Sequence, residues 1–254
     1  MAKARDEIIN DLLGYEGLKI IQRPDIFNFS LDSTILADFV TIKMKDKKII
    51  DLGIKAAIVL NCDITRTIYF DRKNYFYPDT PRAYQISQFD KPLCEHGYIE
   101  IETSQGKKKI GITRIHIEDD AGKLNHDDLG GGALIDLNRA GVPLIEIVSE
   151  PDFRSIEEVD AYLRKLKSIL EYVEVSDCKM EEGSFRADIN TSIRPVGSEK
   201  LGTRTEMKNM NSFRSITRAL EYEINRQVEV IDNGGKVDQE TLRWDEVSGK
   251  TFSM

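Results

Sequence analysis

Hydrophobic positions recur along this chain with two periods. In the first half they alternate with polar ones: Ile64–Phe70, Ala83–Phe89, Gly97–Thr103 and Lys109–Ile117 each put apolar side chains on one face, as antiparallel strands with one wet face do. Ser104-Gln105-Gly106-Lys107, between the last two runs, predicts a hairpin turn. Further on the period lengthens. Ser155-Ile156-Glu157-Glu158 is a capping box, in which the Ser hydroxyl takes the third helical N–H and Glu158 reaches back. After it Val159, Tyr162, Leu163, Leu166, Ile169, Leu170 and Val173 recur at helical spacing, so this helix should lie on the sheet. A second helix is predicted from about Phe213 to Asp232, with Ile216, Leu220, Ile224 and Val228 on one stripe and Asn233-Gly234-Gly235 as its stop. The fold class that follows is α+β: an antiparallel sheet cradle with packed helices.

Two stretches depart from these periods. Lys48–Gly53 reads as a short apolar strand ending in Asp-Leu-Gly, and Ile54–Leu60 has the composition of a helix end. In a nucleotide-binding α/β domain Asp51-Leu52-Gly53 would lead into a glycine-rich turn, and no further glycines follow it, so an ordinary strand and turn is expected there. The second stretch is Leu137–Asp152. Asn138 and Arg139 end an extended run, Gly141 and Pro143 shape a turn, and Leu144, Ile145, Ile147 and Val148 read as a buried strand with a carboxylate, Glu146, in its middle. A buried carboxylate needs a partner.

Composition narrows the class. The 254 residues could bury one large core or two modest ones, and 40% hydrophobic with 31% charged residues is ordinary for a globular protein. No apolar run approaches the roughly 18 residues of a membrane span, and the basic N-terminus leads into no apolar run, so a cytoplasmic protein without membrane contact is expected. Cys62, Cys94 and Cys178 form no Cys-x-x-Cys pair and are expected as reduced thiols. A formal net charge of −8 makes bulk charge a poor basis for binding nucleic acid, so any such contact must be local. Lys107-Lys108-Lys109 with Arg114, and the group Arg204, Lys208, Arg214 and Arg218, are the candidates, against the blander reading of a hairpin tip and a solvated helix face.

The run Leu137-Asn138-Arg139-Ala140-Gly141-Val142-Pro143-Leu144-Ile145-Glu146-Ile147-Val148-Ser149-Glu150-Pro151-Asp152 closely resembles the signature of the B subunits of tRNA-dependent amidotransferases, the GatB family. The resemblance runs from about Ile54 to the last residue, through Phe70–Asp79, Tyr84–Asp90 and Ser176–Ser184. Ahead of it, the family's opening Gly-Leu-Glu-Val-His-type strand and the zinc-binding cysteines of many members have no counterpart. Residues 1–53, through Gly17–Gln22, Phe29–Phe39 and Lys48–Gly53, are similar instead to the start of an S-adenosylmethionine-dependent methyltransferase that modifies a tRNA adenine. The expected domains are therefore a methyltransferase-like fragment, 1–53, and an incomplete GatB cradle, 54–254. The alternatives are an inactive chimera of two gene fragments, or a tRNA methyltransferase remnant.

What the first resemblance implies is an ATP- and glutamine-dependent amidation of Glu-tRNA(Gln) or Asp-tRNA(Asn), with ATP and Mg²⁺ as cofactors, misacylated tRNA as substrate, and the amidotransferase A and C subunits as partners in a heterotrimer. Glutamine hydrolysis would belong to the A subunit. Mg²⁺ favours a few carboxylates together with phosphate oxygens, so acidic residues should converge. Four clusters qualify: Glu118-Asp119-Asp120, Glu146 with Glu150, Glu181-Glu182, and Asp188 with Asn190 on one face of an alternating strand. Glu146, Glu150 and Arg139 are the expected catalytic residues, Lys179, Glu182 and Asn190 the nucleotide-binding ones, and Glu118, Asp119 and Asp188 the metal ligands. Asp119 stands where the family usually has Glu. The chain has no P-loop motif, and Gly130-Gly131-Gly132 reads as a hairpin loop. His116 inside a strand reads as a packed residue, His96 as part of a turn and His126 as part of a loop, and none has a Ser or Cys partner at the spacing of a catalytic triad.

Overall fold

The computed structural model describes residues 8–11, 19–22, 44–126 and 133–254. The chain divides into two compact units, Met1–Ile50 and Asp51–Met254. In the first, β1 (Ile8–Asp11) and β2 (Lys19–Gln22) pair antiparallel, with Ile8 opposite Gln22. Helix α1 (Met44–Val59) follows. The expected strand at Lys48–Gly53 is therefore helical, and the reason is visible in the pattern. Gly53, Ala56, Ala57 and Leu60 are all buried at helical spacing, so the apolar run continues a helix stripe where an isolated strand would have had no partner. Glycine suits the stripe because a Cβ on Gly53 would come within 2.4 Å of Leu93 Cδ2.

The second unit is built on two four-stranded sheets. The first runs β10 (Pro143–Ser149), β7 (Gly106–Asp119), β6 (Cys94–Thr103), β3 (Asp63–Ile64), antiparallel throughout. The long β6–β7 hairpin turns at Ser104-Gln105 as expected, with Gly106 at φ +104°. The run 64–70 is a strand only at its start. Beyond Ile64 it stays beside residues 91–93 through single bonds from Thr65 N and Tyr69 N, and the ladder resumes in the separate hairpin of β4 (Asp71–Asn74) and β5 (Tyr84–Ser87). A further hairpin pairs β8 (Lys123–His126) with β9 (Ala133–Asp136), so His126 ends a strand; Gly130–Gly132 lie outside the described residues. His96 lies within β6, in the left-handed region at φ 56°.

Helix α2 (Ile156–Tyr172) begins at the expected cap, although Glu158 reaches back past Ser155 to the residue before it. Ser155 Oγ accepts from Glu158 N, and the Glu158 carboxylate returns to Arg154 N at 2.6 Å. Its Tyr162, Leu163, Leu166 and Leu170 are buried, and it contacts β6. Ile99, Ile101, Ile110, Ile112 and Ile115 of the sheet join them in one core with Ala56, Ala57 and Leu60.

The second sheet runs β11 (Ile189–Thr191), β12 (Thr205–Lys208), β13 (Thr241–Asp245), β14 (Lys250–Ser253), with β12 and β13 parallel. Helix α3 (Phe213–Asp232) packs Ile216, Ala219 and Leu220 into the same core as Met207, Leu242 and Trp244. It ends in a Schellman motif: Gly234 at φ +76° donates to Ile231 O and Gly235 N to Val230 O. The predicted stripe holds for Ile216 and Leu220 but not beyond. Val228 is exposed, and the buried positions of the last turns are Glu223 and Gln227, which a scan for apolar residues passes over. Strand β10 differs too. It is an edge strand, half-buried at all seven positions, not a buried one.

Candidate functional site

The strand register builds the site. On antiparallel β7 and β10, His116 lies directly opposite Glu146, and Glu118, two residues on, shares the face of His116. His116 Nε2 is 3.6 Å from Glu118 Oε2 and 3.6 Å from Glu146 Oε2. The imidazole is 3% exposed and the Glu118 carboxylate 8%, whereas Glu146 is 44% exposed, so the group opens to solvent on the side of the edge strand. Ser87 Oγ donates to Glu118 at 3.2 Å, and Lys73 Nζ stands 3.9 Å away. Burial works to raise the Glu118 carboxyl, but His116, Lys73 and Ser87 outweigh it and hold it below the ordinary carboxylate range. Arg114 Nε donates to His116 Nδ1 at 3.4 Å, with its guanidinium over the Phe89 ring.

Among the described residues this is the one set of three His, Cys, Asp or Glu side chains that could hold a metal ion, with one ligand atom from each lying within 4.8 Å of the others. Ligand atoms gathered within 4.8 Å are close enough to approach one divalent cation, and the two carboxylates are the oxygen donors that Mg²⁺ favours.

The other expected site residues divide in two. A second group adjoins the first along β7. Asp120 takes Arg186 Nη2 at 2.8 Å and lies 3.8 Å from Arg139 Nε, and Arg139 also donates to Gly122 O. Arg139 reaches the Lys179–Ser184 turn as well: a Cβ on Gly183 would sit 3.6 Å from its Nη1. In that turn Lys179 pairs with Glu182 at 2.9 Å, and Ser184 binds Asp177. Thus Arg139, Lys179 and Glu182 are brought into one neighbourhood beside Asp120.

The remaining residues are held elsewhere. Asp119, expected with the metal ligands, points to the opposite face of β7 from Glu118, because alternation turns it there. It is 2% exposed, ion-paired with Arg82, and accepts from Ile86 N at 3.1 Å. Glu150 lies at the far end of β10, past the register shift at Val148/Ser149, and accepts from Thr113 Oγ1 at 2.8 Å. Asp188 sits beside the second sheet, paired with Lys208 at 3.0 Å, and Asn190 is exposed on β11 opposite Glu206. The expected buried carboxylate also changes identity: Glu146 is half-exposed and Glu118 is the buried one. Sequence reasoning missed His116 because its partners emerge only from the register of two strands far apart in the chain.

Half of the candidate basic side chains are paired with nearby carboxylates. Lys107 pairs with Glu100, Lys108 with Glu158, Lys208 with Asp188 and Glu206, and Arg218 with Glu246, which favours the bland reading. Cys94 and Cys178 are buried and Cys62 half-buried, all free. No helix among the described residues is long and apolar enough to cross a membrane.

Residues 40–254 match the family model of the GatB/GatE catalytic domain. The chain belongs to this family. The B subunit of the aspartyl/glutamyl-tRNA(Asn/Gln) amidotransferase of Brevibacillus brevis is 60% identical over 209 residues, which are 82% of this chain and 44% of that protein. The protein of the same name from Caldicellulosiruptor saccharolyticus is 62% identical over 209 residues, with the same coverage of 82% and 44%. That of a Thermoanaerobacter species is 60% identical over 214 residues, 84% of this chain and 45% of the relative. The chain thus spans less than half the length of these GatB relatives. The GatB/GatE match takes in residues 40–53, ahead of the position where the sequence resemblance to GatB begins.

Proposed function

We propose that this chain is the catalytic portion of the B subunit of an Asp/Glu-tRNA amidotransferase. It would activate the side-chain carboxylate of a misacylated Glu-tRNA(Gln) or Asp-tRNA(Asn) with ATP and pass it on to ammonia. The observation that carries the reading is the convergence of Glu118 and Glu146 across β7 and β10, with His116 between them, in a GatB/GatE catalytic domain.

In this reaction the substrate carboxylate takes the γ-phosphoryl group, ADP leaves, and ammonia displaces phosphate to give the amide. A bound Mg²⁺ supplies charge neutralisation at the phosphates. Glu118 and Glu146 are the residues that would hold it. Glu118 suits that task because it stays ionised although buried. Arg139 and Arg186, gathered at Asp120, and Lys179 on the adjoining turn supply positive charge to orient phosphate and substrate carboxylate. The ammonia would come from the glutamine-hydrolysing A subunit, with the C subunit for a further partner, in the cytoplasm. We further propose that a separate N-terminal segment precedes the GatB/GatE domain, with its boundary between residue 40, where the family match starts, and Ile54.

The test is amide formation on Glu-tRNA(Gln), with ATP, Mg²⁺ and added A and C subunits, beside direct measurement of Mg·ATP binding. Binding that Glu118→Gln and Glu146→Gln abolish, together with any ATP-dependent amide product lost in the same variants, is the expected result. Mg·ATP binding indifferent to both substitutions would sink the proposal.

A further inference from the structure

The imidazole of His116 has the position of a third metal ligand, but its hydrogen bond with Arg114 is that of something else. We infer that His116 is a positioning residue that faces Glu118 and Glu146 with Nε2–H, 3.6 Å from an oxygen of each, and that the cation is bound through oxygen alone.

The deciding contact is on the far side of the ring. Arg114 Nε–H donates to His116 Nδ1 at 3.4 Å. Guanidinium has only donors and stays charged, so the nitrogen it faces must carry the lone pair. In a neutral imidazole the proton then sits on Nε2. That nitrogen is 3.6 Å from a carboxylate oxygen on each side, so its proton points between Glu118 and Glu146 and draws both toward the ring. A histidine that ligates a metal through Nε2 has the reverse arrangement: Nε2 is bare and Nδ1–H is given to a carboxylate, carbonyl or water. Adopting it here would set Nδ1–H against the N–H of Arg114, donor against donor. Arg114 also lies over the Phe89 ring, its guanidinium carbon 5.7 Å from the ring centroid.

The consequence is selectivity. Without the imidazole, the protein offers two carboxylates and leaves the other positions to water or phosphate, a set that suits Mg²⁺ or Mn²⁺ and disfavours Zn²⁺. This inference rests on the reading of Glu118 and Glu146 as the cation site, and the test separates the two.

In metal-free ¹⁵N-labelled protein, long-range ¹H–¹⁵N correlation reports the tautomer of each imidazole. The chain has three histidines, so His96→Gln and His126→Gln assign the signals. His116 is expected as the Nε2–H form, and the Nδ1–H form overturns the inference whatever the cation does. In Mn²⁺-loaded protein, pulsed electron paramagnetic resonance is expected to show no coordinated nitrogen. A nitrogen coupling that His116→Gln removes overturns the inference and leaves the cation site standing; failure to take up Mn²⁺ at all refutes the cation reading and, with it, the oxygen-only ligation. His116→Gln, whose amide N–H reaches the same carboxylates, is expected to retain Mn²⁺, whereas His116→Ala weakens it about 10- to 100-fold, as loss of an outer-shell partner does. Arg114→Glu should accept Nδ1–H, free Nε2 and raise Zn²⁺ affinity by a similar factor. Equal loss of Mn²⁺ in His116→Gln and His116→Ala, or no gain of Zn²⁺ in Arg114→Glu, counts against the assignment.

Discussion

Replacing Glu223 by Ala should remove a large part of the stability of the lobe formed by α3 and the second sheet. The carboxylate is fully buried on α3, where it accepts from Arg226 Nη2 at 2.7 Å and Nε at 2.8 Å, from Thr205 Oγ1 at 2.8 Å and from Gln227 Nε2 at 2.9 Å. Thr205 and Gln227 are themselves wholly buried, so water cannot replace the lost acceptor without entering the core. Breaking a buried pair by removing one partner costs about 3 to 5 kcal/mol. Arg226 is partly solvated, which puts the expectation near the lower end, at about 3 kcal/mol. Glu223→Gln keeps the shape but loses the charge and turns an amide N–H toward donors, so it should cost about 2 kcal/mol. The assay is urea unfolding followed by fluorescence of Trp244, the only tryptophan, which is buried on β13 beside Tyr222 of the same helix as Glu223. Burial pushes the Glu223 carboxyl up, yet Arg226, Gln227 and Thr205 outweigh it and leave it below the ordinary value of 4.5. A depressed carboxyl stabilises the fold fully above that value and loses its contribution as pH falls through the folded-state value. The gap between wild type and Glu223→Gln should therefore be full at neutral pH and close below about pH 4.5. A Glu223→Gln protein within about 0.5 kcal/mol of wild type at neutral pH would refute the reasoning, since that is the scatter of ordinary surface substitutions.

Single contacts elsewhere are open to the same kind of test. A Cβ on Gly202 would meet the backbone oxygen of Ile193 at 2.1 Å, so Gly202→Ala should lower stability by about 1 to 3 kcal/mol in the same urea assay. Ser155→Ala removes the acceptor for Glu158 N and should cost about 1 kcal/mol by thermal unfolding. Asp119→Asn breaks the pair with Arg82 and should destabilise the fold by about 2 to 4 kcal/mol; calorimetric Mn²⁺ titration of the variant under folded conditions should show the cation still bound, and loss of the cation from a folded variant would return Asp119 to the metal set.

Residues that declare themselves through local periodicity were legible in the sequence. The N-cap of α2, the stop of α3 and the β6–β7 hairpin follow from side chains within a few positions of one another. What escaped lies in contacts between distant segments. Gly53 reads as the end of a strand until Ala56, Ala57 and Leu60 are seen to continue its stripe into the core. Glu223 and Gln227 fill the place of Ile224 and Val228 because Thr205 and Arg226 satisfy them, and no apolar pattern can announce that. The site itself was half visible. Glu146 stood out as a carboxylate in an apolar strand and Glu118 as the head of an acidic run, but which of Glu118 and Asp119 faces Glu146 depends on the register of β7 against β10, and His116 gains its meaning only from Glu146, thirty residues away.

A divalent cation held between β7 and β10 is the central claim, and Mn²⁺ titration followed by electron paramagnetic resonance tests it most directly. Wild-type protein should bind one Mn²⁺, displaced by Mg²⁺, and both Glu118→Gln and Glu146→Gln should lose it while remaining folded. Absence of a bound ion in the wild type, or its persistence in the double variant, would contradict that claim.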